Sequence, residues 1–203
     1  MHTTGAPIKG YGQVYSNGLI IISKGEAILV DTPTTNDQTE ELVKLISDSL
    51  QVKIVKFIPT HWHSDCIGGI EYLHNIGIAS YSNEMTIDLC KENGVTLPQH
   101  GFKNSLQLGL NGMDVECHFL GGGHSLDNFV VWIPAEKVLF GGCLIKDMSS
   151  TTPGNTTDGD IDAWPVTIAG VLERFSEARV VVPGHGEFGG LELAKHTQAL
   201  LTK

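Results

Sequence analysis

Four short stretches of the chain carry side chains that bind metal ions. The first is Thr60-His61-Trp62-His63-Ser64-Asp65-Cys66, which sets two imidazoles and a carboxylate at alternate positions. The second is Gly121-Gly122-Gly123-His124, the third Gly141-Gly142-Cys143, and the fourth Pro183-Gly184-His185-Gly186. Imidazole, thiolate and carboxylate are the ligands that zinc prefers. Together the stretches offer His61, His63, Asp65, His124, Cys143 and His185. That is enough for two zinc ions with three protein ligands each. Three protein ligands leave a position for water, the arrangement of a catalytic zinc and not of a structural one. Each stretch alone has a plainer explanation. A histidine after glycines is most often a turn residue, and a buried cysteine is most often core. Their joint occurrence is what points to a metal centre.

The elements that must position these groups follow from patterning. Each stretch comes directly after an apolar run: Ile54 to Ile58, Cys117 to Leu120, Val138 to Phe140 and Val180 to Val182. Such runs read as buried strands, and α/β folds place their chemistry on the loops that follow strands. Leu19 to Ser23 and Ala27 to Asp31 are further strands, apolar throughout, so both faces of their sheet should be covered. Asp37 to Leu50 is a helix with a buried stripe of Leu42, Leu45, Ile46 and Leu50. Ile78 to Tyr81 is a strand, and Asn83 to Asn93 a helix with Cys90 in its core face. In the second half, strands are expected near 105–108, 113–120, 128–133 and 138–141. A long polar loop spans 147–160. A helix over 161–175, a strand over 179–182 and a helix over 191–201 complete the chain. Strands then helices, twice over, predict an α/β fold: an αββα sandwich of two mixed sheets packed face to face, with helices on both outer faces. Pro7 to Gly12 reads as a hairpin tip, either an ordinary turn or a flap over a site. Asp31 is either a surface turn residue or a carboxylate that holds the His61 loop. His74, His100, His118 and His196 are expected at the surface.

At 203 residues the chain fits one domain, 1–203, with no linker. Its formal net charge of −10 argues against nucleic acid as a partner. No run approaches the length of a membrane helix, and no export signal opens the sequence. The four cysteines form no dense framework, so a disulfide scaffold is not expected.

The set His-Trp-His-Ser-Asp-Cys, Gly-Gly-Gly-His-Ser, Gly-Gly-Cys-Leu-Ile-Lys and Pro-Gly-His-Gly resembles the metallo-β-lactamases of subclass B1. Cys66 directly after Asp65, with Ala163-Trp164-Pro165, looks most like the CcrA/CfiA type. Other hydrolases of that fold normally carry His where this chain has Cys66, and a bridging Asp where it has Cys143. The resemblance implies hydrolysis of the β-lactam ring of penicillins, cephalosporins and carbapenems, with antibiotic resistance as the outcome. It implies a first zinc on His61, His63 and His124, and a second on Asp65, Cys143 and His185. Lys146 matches the lysine that receives the substrate carboxylate, and Asn155 the asparagine near the lactam carbonyl. Ile8 and Tyr11 fall on the flap that touches substrate. A water on such ions drops in pKa from 15.7 to about 7, which gives a zinc-bound hydroxide as nucleophile. The family is periplasmic, and a monomer is expected. Relatives have a signal peptide and a further strand before the point where this sequence begins. That difference leads us to expect an uncovered sheet edge and reduced stability. Another dizinc hydrolase of the same fold, or a zinc-binding protein with little turnover, are the competing readings.

Overall fold

The computed structural model describes residues 1–8, 10 and 12–202. Tyr11 and the side chain of Ile8, both expected to touch substrate, lie outside the described residues. Contacts divide the chain into two compact units, Met1–Lys103 with Gly109–Met113, and Asn104–Leu108 with Asp114–Lys203.

The first unit is a six-stranded mixed sheet in simple sequence order, β1 (His2–Ile8), β2 (Gly12–Ser23), β3 (Glu26–Val30), β4 (Lys53–Ile58), β5 (Ala79–Asn83) and β6 (His100–Phe102). The β1–β2 and β2–β3 pairs are antiparallel, and the next three are parallel. Parallel neighbours need helical crossovers, which α1 (Asn36–Leu45), α3 (Ile70–Asn75) and α4 (Glu84–Asn93) supply. Ala27, Leu29, Leu42, Ile46, Phe57, Ile70, Leu73 and Cys90 share its core. Each large apolar side chain of this kind contributes roughly 1.5–3 kcal/mol on full burial.

Three expectations need correction here. Ile22 on β2 is 41 % exposed, so the second face of that strand is not wholly covered. The helix expected over 37–50 ends as α1 at Leu45 and continues as a π-helical turn, Ile46–Leu50. That wider turn rotates the stripe. Leu42 and Ile46 are buried, whereas Leu45 and Leu50 are 60 % and 48 % exposed. Finally, the opening segment is not irregular, because His2–Ile8 pairs along β2 as an edge strand.

The second unit carries a five-stranded mixed sheet in the order β11 (Val180–Pro183), β10 (Val138–Gly142), β9 (Val130–Ile133), β8 (Met113–His118) and β7 (Ser105–Leu110). β10 and β11 run parallel. The helices α5 (Trp164–Arg174) and α6 (Glu192–Leu201) bring Trp164, Ile168, Val171, Leu193 and Ala194 into one core with Trp132, Leu139 and Val181. α5 begins later than the patterning suggests. Asp160 caps the segment before it, its carboxylate accepting from the Ala163 N–H at 2.9 Å, and Pro165 occupies the first turn, where its missing N–H costs nothing. His118 is not a surface residue. It is 6 % exposed, paired with Glu116 at 2.8 Å and packed on the Phe175 ring. His74 and His196 are half-buried, bonded to Ser80 Oγ at 2.7 Å and to the Ser150 carbonyl at 2.8 Å.

Candidate metal centre

In the first unit the ligand loop leaves the end of β4 through Pro59 and Thr60. Asp31 holds it. This carboxylate is fully buried at the end of β3, and its oxygens accept from the Thr60 N–H at 2.7 Å and the Thr60 hydroxyl at 2.8 Å. Asp31 itself sits at φ +56°, a left-handed conformation that is unusual for a non-glycine residue. Its N–H donates to the Ile58 carbonyl at 3.0 Å, which ties β3 to β4 just before the loop. Of the two roles open from sequence, the structure therefore gives Asp31 the loop-holding one.

Beyond Thr60 the chain turns His61 inward, fully buried, with Nε2 3.0 Å from Nδ1 of the half-buried His63. The rings meet edge to face. Zinc binds imidazole nitrogen at about 2.0–2.1 Å, so two such nitrogens on one tetrahedral ion sit about 3.3 Å apart. The observed approach is close to that. Trp62 points the other way, packed against the core cluster of this unit. Asp65 is not on the loop itself but in the first turn of the short helix α2 (Ser64–Ile67). Cys66 follows it, 1 % exposed. Its carbonyl accepts from Thr32 N–H at 2.9 Å and Thr32 hydroxyl at 3.2 Å.

In the second unit, His124 follows a glycine loop that is tied down from both sides. The Thr167 hydroxyl donates to the Gly122 carbonyl at 2.7 Å, and the Asp160 N–H donates to the Gly123 carbonyl at 2.8 Å. The His124 ring stands edge-on to Trp164, centroids 6.1 Å apart. Cys143 and His185 meet because β10 and β11 are parallel neighbours whose ends fall on one edge. Cys143 Sγ lies 3.3 Å from His185 Nε2. Gly184 is required there. A Cβ at that position would stand 2.5 Å from the Cys143 sulfur.

Lys146 is only 8 % exposed, with its N–H donating to the Thr197 hydroxyl of α6 at 2.8 Å. Its ammonium lies over the Trp164 ring, 5.4 Å from the centroid. Sequence reasoning missed this cation–π contact, although Ala-Trp-Pro was noticed as a motif. Asn155 lies half-buried on the long loop, its side-chain oxygen accepting from both the N–H and the hydroxyl of Thr157, at 3.1 and 2.8 Å. The four cysteines form no disulfide.

Among the described residues, the groups able to hold a metal ion are His61-His63-His124, Asp65-Cys143-His185 and His61-Cys66-Cys143. The first two are the sets expected from sequence. A family model described as the metallo-beta-lactamase superfamily matches residues 11–185. The chain belongs to that superfamily. It is 52 % identical over 198 residues to a metallo-beta-lactamase type 2 of Bacteroides fragilis, a match that spans 98 % of this chain and 80 % of the relative. A metallo-beta-lactamase type 2 of Bacillus cereus is 38 % identical, over 93 % of this chain and 73 % of that one. Among solved structures, a metallo-beta-lactamase from Pontibacter korlensis superposes with a TM-score of 0.95 at 39 % identity, over 100 % of this chain and 94 % of that one. These likenesses bear out the subclass B1 resemblance and the αββα fold class, with its two mixed sheets and their helices. Metallo-beta-lactamases bind zinc, and the donor pairs at 3.0 and 3.3 Å fit that ion. Among the described residues no helix is long and apolar enough to cross a membrane.

Proposed function

We propose that this chain hydrolyses the β-lactam ring of penicillins, cephalosporins and carbapenems, using two zinc ions. The observation that carries the reading is the thiolate–imidazole pair of Cys143 and His185 at 3.3 Å, in a chain 52 % identical to a protein named metallo-beta-lactamase type 2. His61, His63 and His124 hold the first ion. Asp65, Cys143 and His185 hold the second, with the sulfur as thiolate because a coordinating thiol is deprotonated. Zinc, when bound, supplies Lewis acidity and activates water at neutral pH.

The chain's own residues do the rest. Lys146 receives the carboxylate that β-lactams carry, and Trp164 holds its ammonium in place from below. Asn155 spends its side-chain oxygen on Thr157, so its amide N–H groups are the end that meets the lactam carbonyl and stabilises the oxyanion. The flap residues Ile8 and Tyr11 cover the bound substrate. The acidic chain offers no global attraction for an anionic antibiotic. Two divalent ions exceed the charge of two anionic ligands, and Lys146 adds to the excess, so the attraction is local. The protein acts as a monomer in the periplasm, with resistance to antibiotics as its outcome, and nucleic acid is not a partner. The deciding assay is hydrolysis of a chromogenic cephalosporin before and after chelation. Turnover that survives verified metal removal overturns the reading.

A further inference from the structure

The first unit contains a hydrogen-bonded chain that starts at its edge strand and ends beside a metal ligand. His2 lies on β1 opposite Gly18 of β2. Gly18 has no side chain, and a Cβ there would collide with the imidazole. The ring therefore lies across β2 and reaches the end of β3. Its Nε2 is 3.2 Å from the Asp31 carbonyl. A carbonyl only accepts, so Nε2 carries the proton. The residue is 9 % exposed, and its burial pushes the imidazole pKa down to about 4, which keeps the ring neutral at pH 7.

Asp31 is the residue at φ +56°. Strain of this kind persists only where the surroundings over-determine it. Here the Asp31 N–H is fixed by Ile58, its carboxylate by Thr60, and its carbonyl by His2. The carboxylate in turn fixes the backbone and hydroxyl of Thr60, whose next neighbour is His61.

We infer that His2 is a positioning residue for the metal centre: its hydrogen bond to the Asp31 carbonyl locks the left-handed turn from which Asp31 aims the His61 loop. An edge strand thus sets the orientation of a ligand that it never touches. Partners at this remove from a metal ion change its affinity by about 10–100-fold when lost. The inference takes from the proposed function only that His61 is a zinc ligand.

The test compares wild type with His2→Phe and His2→Gln. Phenylalanine fills the space without a donor, and glutamine keeps a donor without the ring. Two measurements are made: hydrogen exchange of the Thr60 amide in the metal-free protein, and zinc affinity by competition with a chromophoric chelator. In His2→Phe the Thr60 amide is expected to exchange about tenfold faster, the equivalent of one hydrogen bond. Zinc should bind about tenfold more weakly. His2→Gln should restore both toward wild type. If Phe and Gln variants behave alike at Thr60, in either direction, the inference is overturned. Wild type that fails to bind zinc would instead sink the proposed function, while the exchange arm still decides the role of His2.

Discussion

Cys143 Sγ and His185 Nε2 stand 3.3 Å apart at the ends of two parallel strands. The pair is the most metal-specific feature of the molecule, because a thiol and an imidazole at this distance are two ligands of one soft ion. Cys143→Ser keeps the shape and exchanges a soft donor for a poor one. The second zinc should then bind at least about tenfold more weakly, with the first little changed. Titration of metal into the variant checks this, and two equally tight sites would remove Cys143 from the ligand list.

Chelation should abolish cephalosporin hydrolysis, and added zinc should restore it. The ground is that every group in the two expected ligand sets is a metal donor. Activity is read on one preparation stripped and then reloaded, with metal content measured at each step.

Lys146→Ala should act mainly on KM. A contact to the substrate carboxylate persists from ground state to transition state, so it contributes uniform binding. A charge-assisted hydrogen bond contributes about 1.5–3 kcal/mol, or roughly 10- to 150-fold in KM. The ammonium is also the cap over Trp164, so a modest loss of Tm should accompany it. An esterified substrate, which lacks the carboxylate, separates the two effects. Equal losses on acid and ester would show that Lys146 does not receive that group.

Stability should depend on pH through His2. The imidazole is lowered from 6.5 to about 4 in the folded protein, chiefly by burial, with the hydrogen bond to Asp31 opposing. Between those values the unfolded chain binds the extra proton, so unfolding becomes easier as pH falls. The contribution is fully present above about 6.5 and is lost progressively down to about 4, and across that window it is worth about 3 kcal/mol. Denaturant unfolding of the metal-free protein at several pH values gives the slope. In His2→Phe that part of the slope should vanish, and an unchanged slope would assign it to other groups.

Much of the scaffold was legible because its strands are apolar runs with glycine at their ends. β3 and β4 needed only Ala27 to Val30 and Ile54 to Ile58 to be recognised. β1 was not, since Thr3, Thr4, Gly5 and Pro7 show no apolar alternation, and its strand character comes from pairing with β2. The π-helical turn at Ile46–Leu50 escaped because a widened turn has no compositional signature. The ligand types were legible as motifs. What held them was less so. Asp31 could be suspected from its place after a buried strand, but its grip on Thr60 depends on a backbone angle that sequence does not display. The Lys146–Trp164 contact joins residues from a loop and a helix that only the fold brings together. His118 was misplaced because simple alternation along β8 ignored the Phe175 ring that covers it.

Gly184 gives the molecule an unusual vulnerability to drift. By residue type, a glycine-to-alanine change is among the mildest in any protein, and here it would remove no ligand. Yet the added methyl would meet the Cys143 sulfur at 2.5 Å and the Cys143 nitrogen at 2.6 Å. The thiol must then swing away from His185, and the variant keeps every donor while losing their convergence. Metal content of Gly184→Ala, measured beside its Tm, distinguishes such a folded but demetallated protein from a merely unstable one. A lineage carrying this gene can therefore explore exposed positions such as Val166 or Phe188 with little penalty. At position 184, one carbon atom separates a metalloprotein from an inert one.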